Sequence, residues 1–100
     1  MIRIVTRLAV APKNRRKVAE NAVELVRLFE KHGLVSEGVF ENFGESEIIH
    51  LWSATDMAAY DAATASLRSD GEFLDFAAAA AEPIVGERKE YWRSISLARK

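Results

Sequence analysis

The chain of 100 residues has no cysteine, two prolines and five glycines. Without cysteine there is no disulfide framework and no thiolate metal site. Charge of one sign is missing as well: 14 basic residues stand against 15 acidic ones, for a net charge of −1. Such a balance supplies no field for holding nucleic acid or an anionic bilayer. No apolar run approaches the roughly 20 residues that span a membrane. The opening Met1-Ile2-Arg3-Ile4-Val5 lacks the charged and apolar regions of a secretory signal. Phosphate loops, Gly-rich fingerprints and a recognisable Ser-His-Asp set are absent, and the two histidines have no convergent carboxylates to suggest a metal or another cofactor. No repeat or low-complexity linker divides the chain. The expectation is one cytoplasmic domain over residues 1–100, with neither nucleic acid nor membrane as partner.

What is present is a set of short periodic segments. Ile2, Ile4, Thr6, Leu8 and Val10 alternate with Arg3 and Arg7, which predicts a first strand ended by Ala11-Pro12. From Lys13 to His32 the spacing changes to threes and fours, through Val18, Ala22, Leu25, Val26 and Phe29, and predicts an amphipathic helix capped by Gly33. Lys13, Arg15, Arg16 and Lys17 crowd its start, where the dipole favours acids. They read as a solvated end. Residues 34–43 predict a second strand in which Gly38 marks a bulge or a close backbone approach. A tight connection at Gly44-Glu45-Ser46 leads into Glu47-Ile48-Ile49-His50-Leu51-Trp52-Ser53, which is apolar on both of its alternating faces. A strand of that kind belongs in the middle of a sheet covered on both sides.

Thr55 or Asp56 offers a cap for a helix over residues 57–69. Asp70-Gly71 breaks that helix, and Glu72 opens a second piece whose alanines 77–81 form a thin packing face. Pro83 ends it, and residues 84 to about 97 predict a last strand whose charges suit a partly exposed edge.

The order is βαββαβ with the second helix broken: an α+β, ferredoxin-like, four-stranded antiparallel sheet. Right-handed crossovers put both helical layers on one face. The central strand is apolar on the other face too, at roughly 25 cal/mol for each Å² left in water. A second copy, applied through a twofold axis, covers it with least invention. The expected assembly is therefore a homodimer, two sheets face to face in a dimeric α/β barrel.

His50 and Trp52 share one face of the central strand. Tyr60, on the following helix, is the polar group placed to reach them. An imidazole titrating near neutrality can move a proton, and an indole face can hold a flat apolar molecule. This predicts a small apolar or aromatic ligand between sheet and helices, with His50 as base, Tyr60 as its orienter and Trp52 as a binding surface. Phe40 and Asn42 on the second strand are weaker ligand-binding candidates, because their register is open. A structural reading stands beside it, with His50 as a core imidazole bonded to Tyr60 or a carbonyl. Which pair meets the helices, Ile49 and Leu51 or His50 and Trp52, is also open.

Several of these residues carry a family resemblance. Gly44, His50-Leu51-Trp52, the acidic helix start, Asp70-Gly71-Glu72-Phe73-Leu74-Asp75-Phe76 and Pro83-Ile84-Val85 together resemble the NIPSNAP family from about Gly38 onward. The resemblance implies a dimeric α/β barrel, a fold shared with antibiotic-biosynthesis-type monooxygenases, and implies no particular reaction. The chain departs from the family at Glu45-Ser46-Glu47 and at Tyr60 and Thr64, where arginines would be expected. Against the monooxygenases, Trp52 lines up with a strand tryptophan, but Tyr60-Asp61-Ala62 stand where a helix histidine belongs. A cofactor-independent monooxygenase or proton-transfer enzyme using His50 is therefore the alternative to a binding protein.

Overall fold

A computed structural model describes residues 1–44 and 46–95. It contains strand β1 (Ile2–Val10), a 3-10 turn (Pro12–Asn14), helix α1 (Arg15–Lys31) and strands β2 (Val35–Glu41) and β3 (Glu47–Ala54). Helices α2 (Met57–Arg68) and α3 (Gly71–Ala80) and strand β4 (Ile84–Arg93) complete it. The sheet order is β2-β3-β1-β4, with every neighbouring pair antiparallel. This is the expected α+β, ferredoxin-like plan, with β3 and β1 in the middle. The last strand stops short of its expected end, and residues 96 and 97 lie outside the described ones.

Local chemistry explains the element ends. Pro12 begins a single 3-10 turn because its ring fixes φ and it has no amide to satisfy. Gly33, at φ +97°, takes the left-handed conformation that closes α1. Asp56 caps α2 by accepting from the Ala59 amide at 2.8 Å, and Asp70 caps α3 by accepting from the Glu72 amide at 3.0 Å. Of the basic residues at the start of α1, Arg15 pairs with Glu41 of β2.

Register decides which residues share a face. Ile4 lies opposite Trp52, Thr6 opposite His50 and Leu8 opposite Ile48. These six point toward the helices and, apart from Thr6, are buried. Two apolar clusters result. One gathers Ile4, Leu34, Trp52, Ala54, Tyr60, Ala63 and Leu67, with Phe29 and Phe73 against it. The other is smaller: Leu8, Val10, Val18 and Ile48, with Ile84 against it.

A polar joint ties the ends of the helices together. His32, at the C-cap of α1, places Nδ1 2.6 Å from the Ser66 hydroxyl and Nε2 2.6 Å from the Asp70 carboxylate. Lys31 reaches Asp70 at 3.0 Å, and Arg27 reaches Glu72 at 2.7 Å. Donation from His32 first, then Lys31, holds the Asp70 carboxyl well below the usual carboxylate range. The sequence reading found no Ser-His-Asp set, and this is a correction. Folding assembles one from three elements, with Ser66 and Asp70 lying 34 and 38 residues beyond His32. None of the three lines the cavity described next.

Candidate functional site

Between the sheet and the helices lies a cavity of about 310 Å³. Its floor is three strands wide, and cross-strand pairing sets the rows. Trp52 and Ile4 form one row, His50, Thr6 and Lys89 the next, and Leu8 and Glu87 the third. Its roof comes from one side of α1 and from α3, where Phe73 and Phe76 are followed by the small Ala77 and Ala80. Helix α3 buries none of its residues fully. Most of the wall is therefore apolar, with a few polar groups at defined places, the usual make-up of a small-molecule site.

His50 occupies the middle of that floor, so the facing left open by the sequence is resolved toward the helices. It is 1% exposed. Its ring stacks on Trp52 with centroids 5.5 Å apart and planes 15° from parallel, and Phe29 packs on the same indole at 4.5 Å. Its Nδ1 is buried with no hydrogen-bond partner. Burial disfavours the imidazolium and pushes the His50 pKa down to about 4. At neutral pH the ring is uncharged, with one nitrogen donating and the other accepting.

Tyr60 is buried in the same wall but turns toward Tyr91, its ring edge-on to that neighbour at 5.6 Å. Burial, and then the Tyr91 phenol beside it, holds the Tyr60 hydroxyl well above the ordinary phenol range.

Phe40 and Asn42 stand elsewhere. Beyond Ser36, which pairs with Trp52, β2 carries one extra residue, and Gly38 pairs with Leu51 at φ +142°. One unpaired residue reverses the face of every side chain after it. Phe40 consequently lies opposite Ile49 on the helix-free face, 51% exposed, its ring folded over Gly38. Asn42 serves the hairpin, its Oδ1 accepting from the Ser46 and Glu47 amides at 3.0 and 3.1 Å.

Other wall residues were not anticipated as site residues. Asn21 sits on the apolar stripe of α1 between Val18 and Leu25, and a polar residue at such a position is a signal the sequence does carry. Thr6 interrupts the inner face of β1 in the same way. Glu87 and Lys89 looked like edge solvation, yet they share parity with Tyr91 and face the cavity. They also pair with each other at 3.6 Å. Among the described residues, no group of three or more His, Asp or Glu could hold a metal ion. No helix there is long and apolar enough to cross a membrane.

No protein-family model and no curated protein sequence matches the chain. Solved structures do. A NIPSNAP domain protein from Burkholderia xenovorans superposes with a TM-score of 0.88 at 9% identity, covering 100% of both chains. A NIPSNAP family protein from Agrobacterium tumefaciens gives 0.86 at 13% identity, covering 97% of this chain and 88% of that one. SnoaB, a cofactor-independent oxygenase from Streptomyces nogalater, gives 0.72 at 16% identity in a mutant form, covering 99% and 97%. At these identities the likeness is one of fold. The NIPSNAP-domain fold expected from the His50-Leu51-Trp52 strand and its neighbours is the fold observed.

Proposed function

We propose that this chain is a NIPSNAP-type homodimeric protein that binds a small, mainly apolar or aromatic molecule in the cavity over β3. The observation that carries this reading is His50, stacked on Trp52 in the wall of a 310 Å³ space with its buried Nδ1 lacking a hydrogen-bond partner. Leaving a buried polar atom unpaired costs about 1–3 kcal/mol, which a ligand group that reached Nδ1 would recover. Trp52 and Phe29 supply the aromatic surface for the rest of the molecule. Membership of the NIPSNAP family rests on the shared fold together with the residues from Gly44 to Val85 quoted above.

The second copy is proposed for the helix-free face. Phe40 and Trp92 are half-exposed there, and Ile49 and Leu51 are partly exposed. An isologous twofold contact needs only that one surface.

A thermal-shift screen of flat aromatic molecules, followed by titration of the hits, tests the binding reading. Hits that raise Tm and lose at least tenfold in affinity in Trp52→Phe or His50→Ala support it. Hits bound equally well by both variants overturn it.

The fold likeness to SnoaB favours one second reading, an oxygenase or proton-transfer enzyme with His50 as base. A pKa of about 4 makes His50 a weak base at neutral pH. Tyr60, engaged with Tyr91, would have to turn to orient it. Turnover of a bound hit, lost in His50→Ala with affinity retained, would establish this reading over simple binding.

A further inference from the structure

The core of this domain is in two parts, and the cavity spans the gap. On β1, Ile4 belongs to one cluster and Leu8 to the other, with Thr6 between them. On β3, Trp52 and Ile48 are divided in the same way by His50. Helix α1 repeats the division: Leu25 and Phe29 pack on the first cluster, Val18 belongs to the second, and Asn21 lies between. Three elements thus put a polar residue at the same level, between two apolar halves. A core of 100 residues gains nothing from a polar seam that its own side chains leave unfilled. The fully buried residues of the two halves form separate clusters, and every seam residue faces the space.

We propose that the ligand of this cavity is an uncharged, elongated molecule, apolar at both ends, whose hydroxyl or carbonyl group lies at mid-length against His50 and Thr6. The proposal rests on the cavity-binding reading above. Length follows from the chain: Ile4 to Leu8 is about 14 Å of strand, and Val18 to Phe29 roughly 16 Å of helix. The molecule's two ends complete the two clusters, and its centre supplies the hydrogen bond the imidazole lacks. Neutrality follows from the wall. Its charged residues are Glu87 and Lys89, already paired at the rim of the floor. Both are half-exposed, so no buried counter-charge stands ready for an ionised ligand, whose own desolvation would go uncompensated.

Three probes of similar size separate the elements of this proposal: benzoin, with a hydroxyketone between two phenyl rings; bibenzyl, the same skeleton without oxygen; and 4-biphenylcarboxylate, charged at one end. Equilibrium dialysis against the full chain at pH 7 is expected to rank benzoin at least tenfold above the other two. Benzoin should also raise Tm. Thr6→Val, which keeps the side-chain shape, should remove most of benzoin's advantage over bibenzyl, as should His50→Phe. The comparison in the unmodified protein stands even if a variant fails to fold. Bibenzyl binding as tightly as benzoin would overturn the central polar contact and leave the cavity reading intact. The carboxylate binding tightest would overturn neutrality. If none of the three binds at millimolar concentration, the inference fails, and an empty thermal-shift screen would then remove the cavity reading as well.

Discussion

The two faces of this sheet solve the same problem in different ways. Toward the helices, apolar side chains are sorted into two blocks with a polar seam of Thr6, His50 and Asn21 between them, which runs out to Lys89 on the edge strand. On the opposite face, apolar and charged residues are interleaved. Val5 and Leu51 lie among Arg3 and Arg7, and these arginines pair with Glu37 at 3.2 Å and Glu90 at 2.7 Å. Val5 is 1% exposed even though the helices pack on the other side. The two arginines carry the charge of this face in ion pairs, while Phe40 and Trp92 elsewhere on it stay half-exposed. One face is closed from above by helices, and the other is left partly open between charged pairs. The first arrangement encloses the cavity.

The two tryptophans separate the faces most sharply. Trp52 is 2% exposed and Trp92 48%. Trp52→Ala should cost about 3–5 kcal/mol in urea unfolding, as large-to-small changes at packed positions do. Trp92→Ala should cost far less in a dilute monomer and should act mainly on association. Equal losses for the two would erase the distinction between the faces.

The next largest effect concerns pH. The His50 pKa lies at about 4 in the folded chain against 6.5 unfolded. The unfolded state therefore binds the extra proton first, and stability present above pH 6.5 is lost as pH falls through 4. The loss between pH 7 and pH 5 should be about 2 kcal/mol. His50→Phe should flatten that limb in chemical unfolding followed at several pH values. An unchanged slope would mean that the imidazole is not held neutral.

Leu51→Glu, on the arginine-bearing face, should reduce the mass measured by sedimentation to that of one chain, 11.2 kDa, with little change in the circular dichroism. A native protein already at that mass would remove the dimer from the account.

The last effect is local to the bulge. A Cβ on Gly38 would lie 2.7 Å from the Phe40 ring, whose flexible end can swing aside, and would sit at φ +142°. Gly38→Ala should cost roughly 1–3 kcal/mol, mostly from backbone strain. Adding Phe40→Ala should recover only the part due to the ring, as a double-mutant cycle would show.

These contrasts also mark what the sequence makes legible. Alternation along Ile2–Val10 and Glu47–Ala54 is local, so the strands, their central position and the common face of His50 and Trp52 can be read directly. The side on which Phe40 emerges depends on one unpaired residue, and alternation alone does not register it. Glu87 and Lys89 sit in a run of charges on an exposed edge, and only pairing against Leu8 and Thr6 shows that they stand on the helix side, at the rim of the cavity. The union of His32, Ser66 and Asp70 is less legible still, because three separate elements must dock before it exists.

The space itself has an unusual maker. Along α3 and its C-cap, Ala77, Ala80 and Ala81 contribute only methyl groups to the chamber, so its capacity is written in what that helix leaves out. Exchanging any one of them for leucine would trim the volume from above without touching β1 or β3. The girth of the chamber is therefore adjustable from the roof alone, with the floor of β1 and β3 kept as it is.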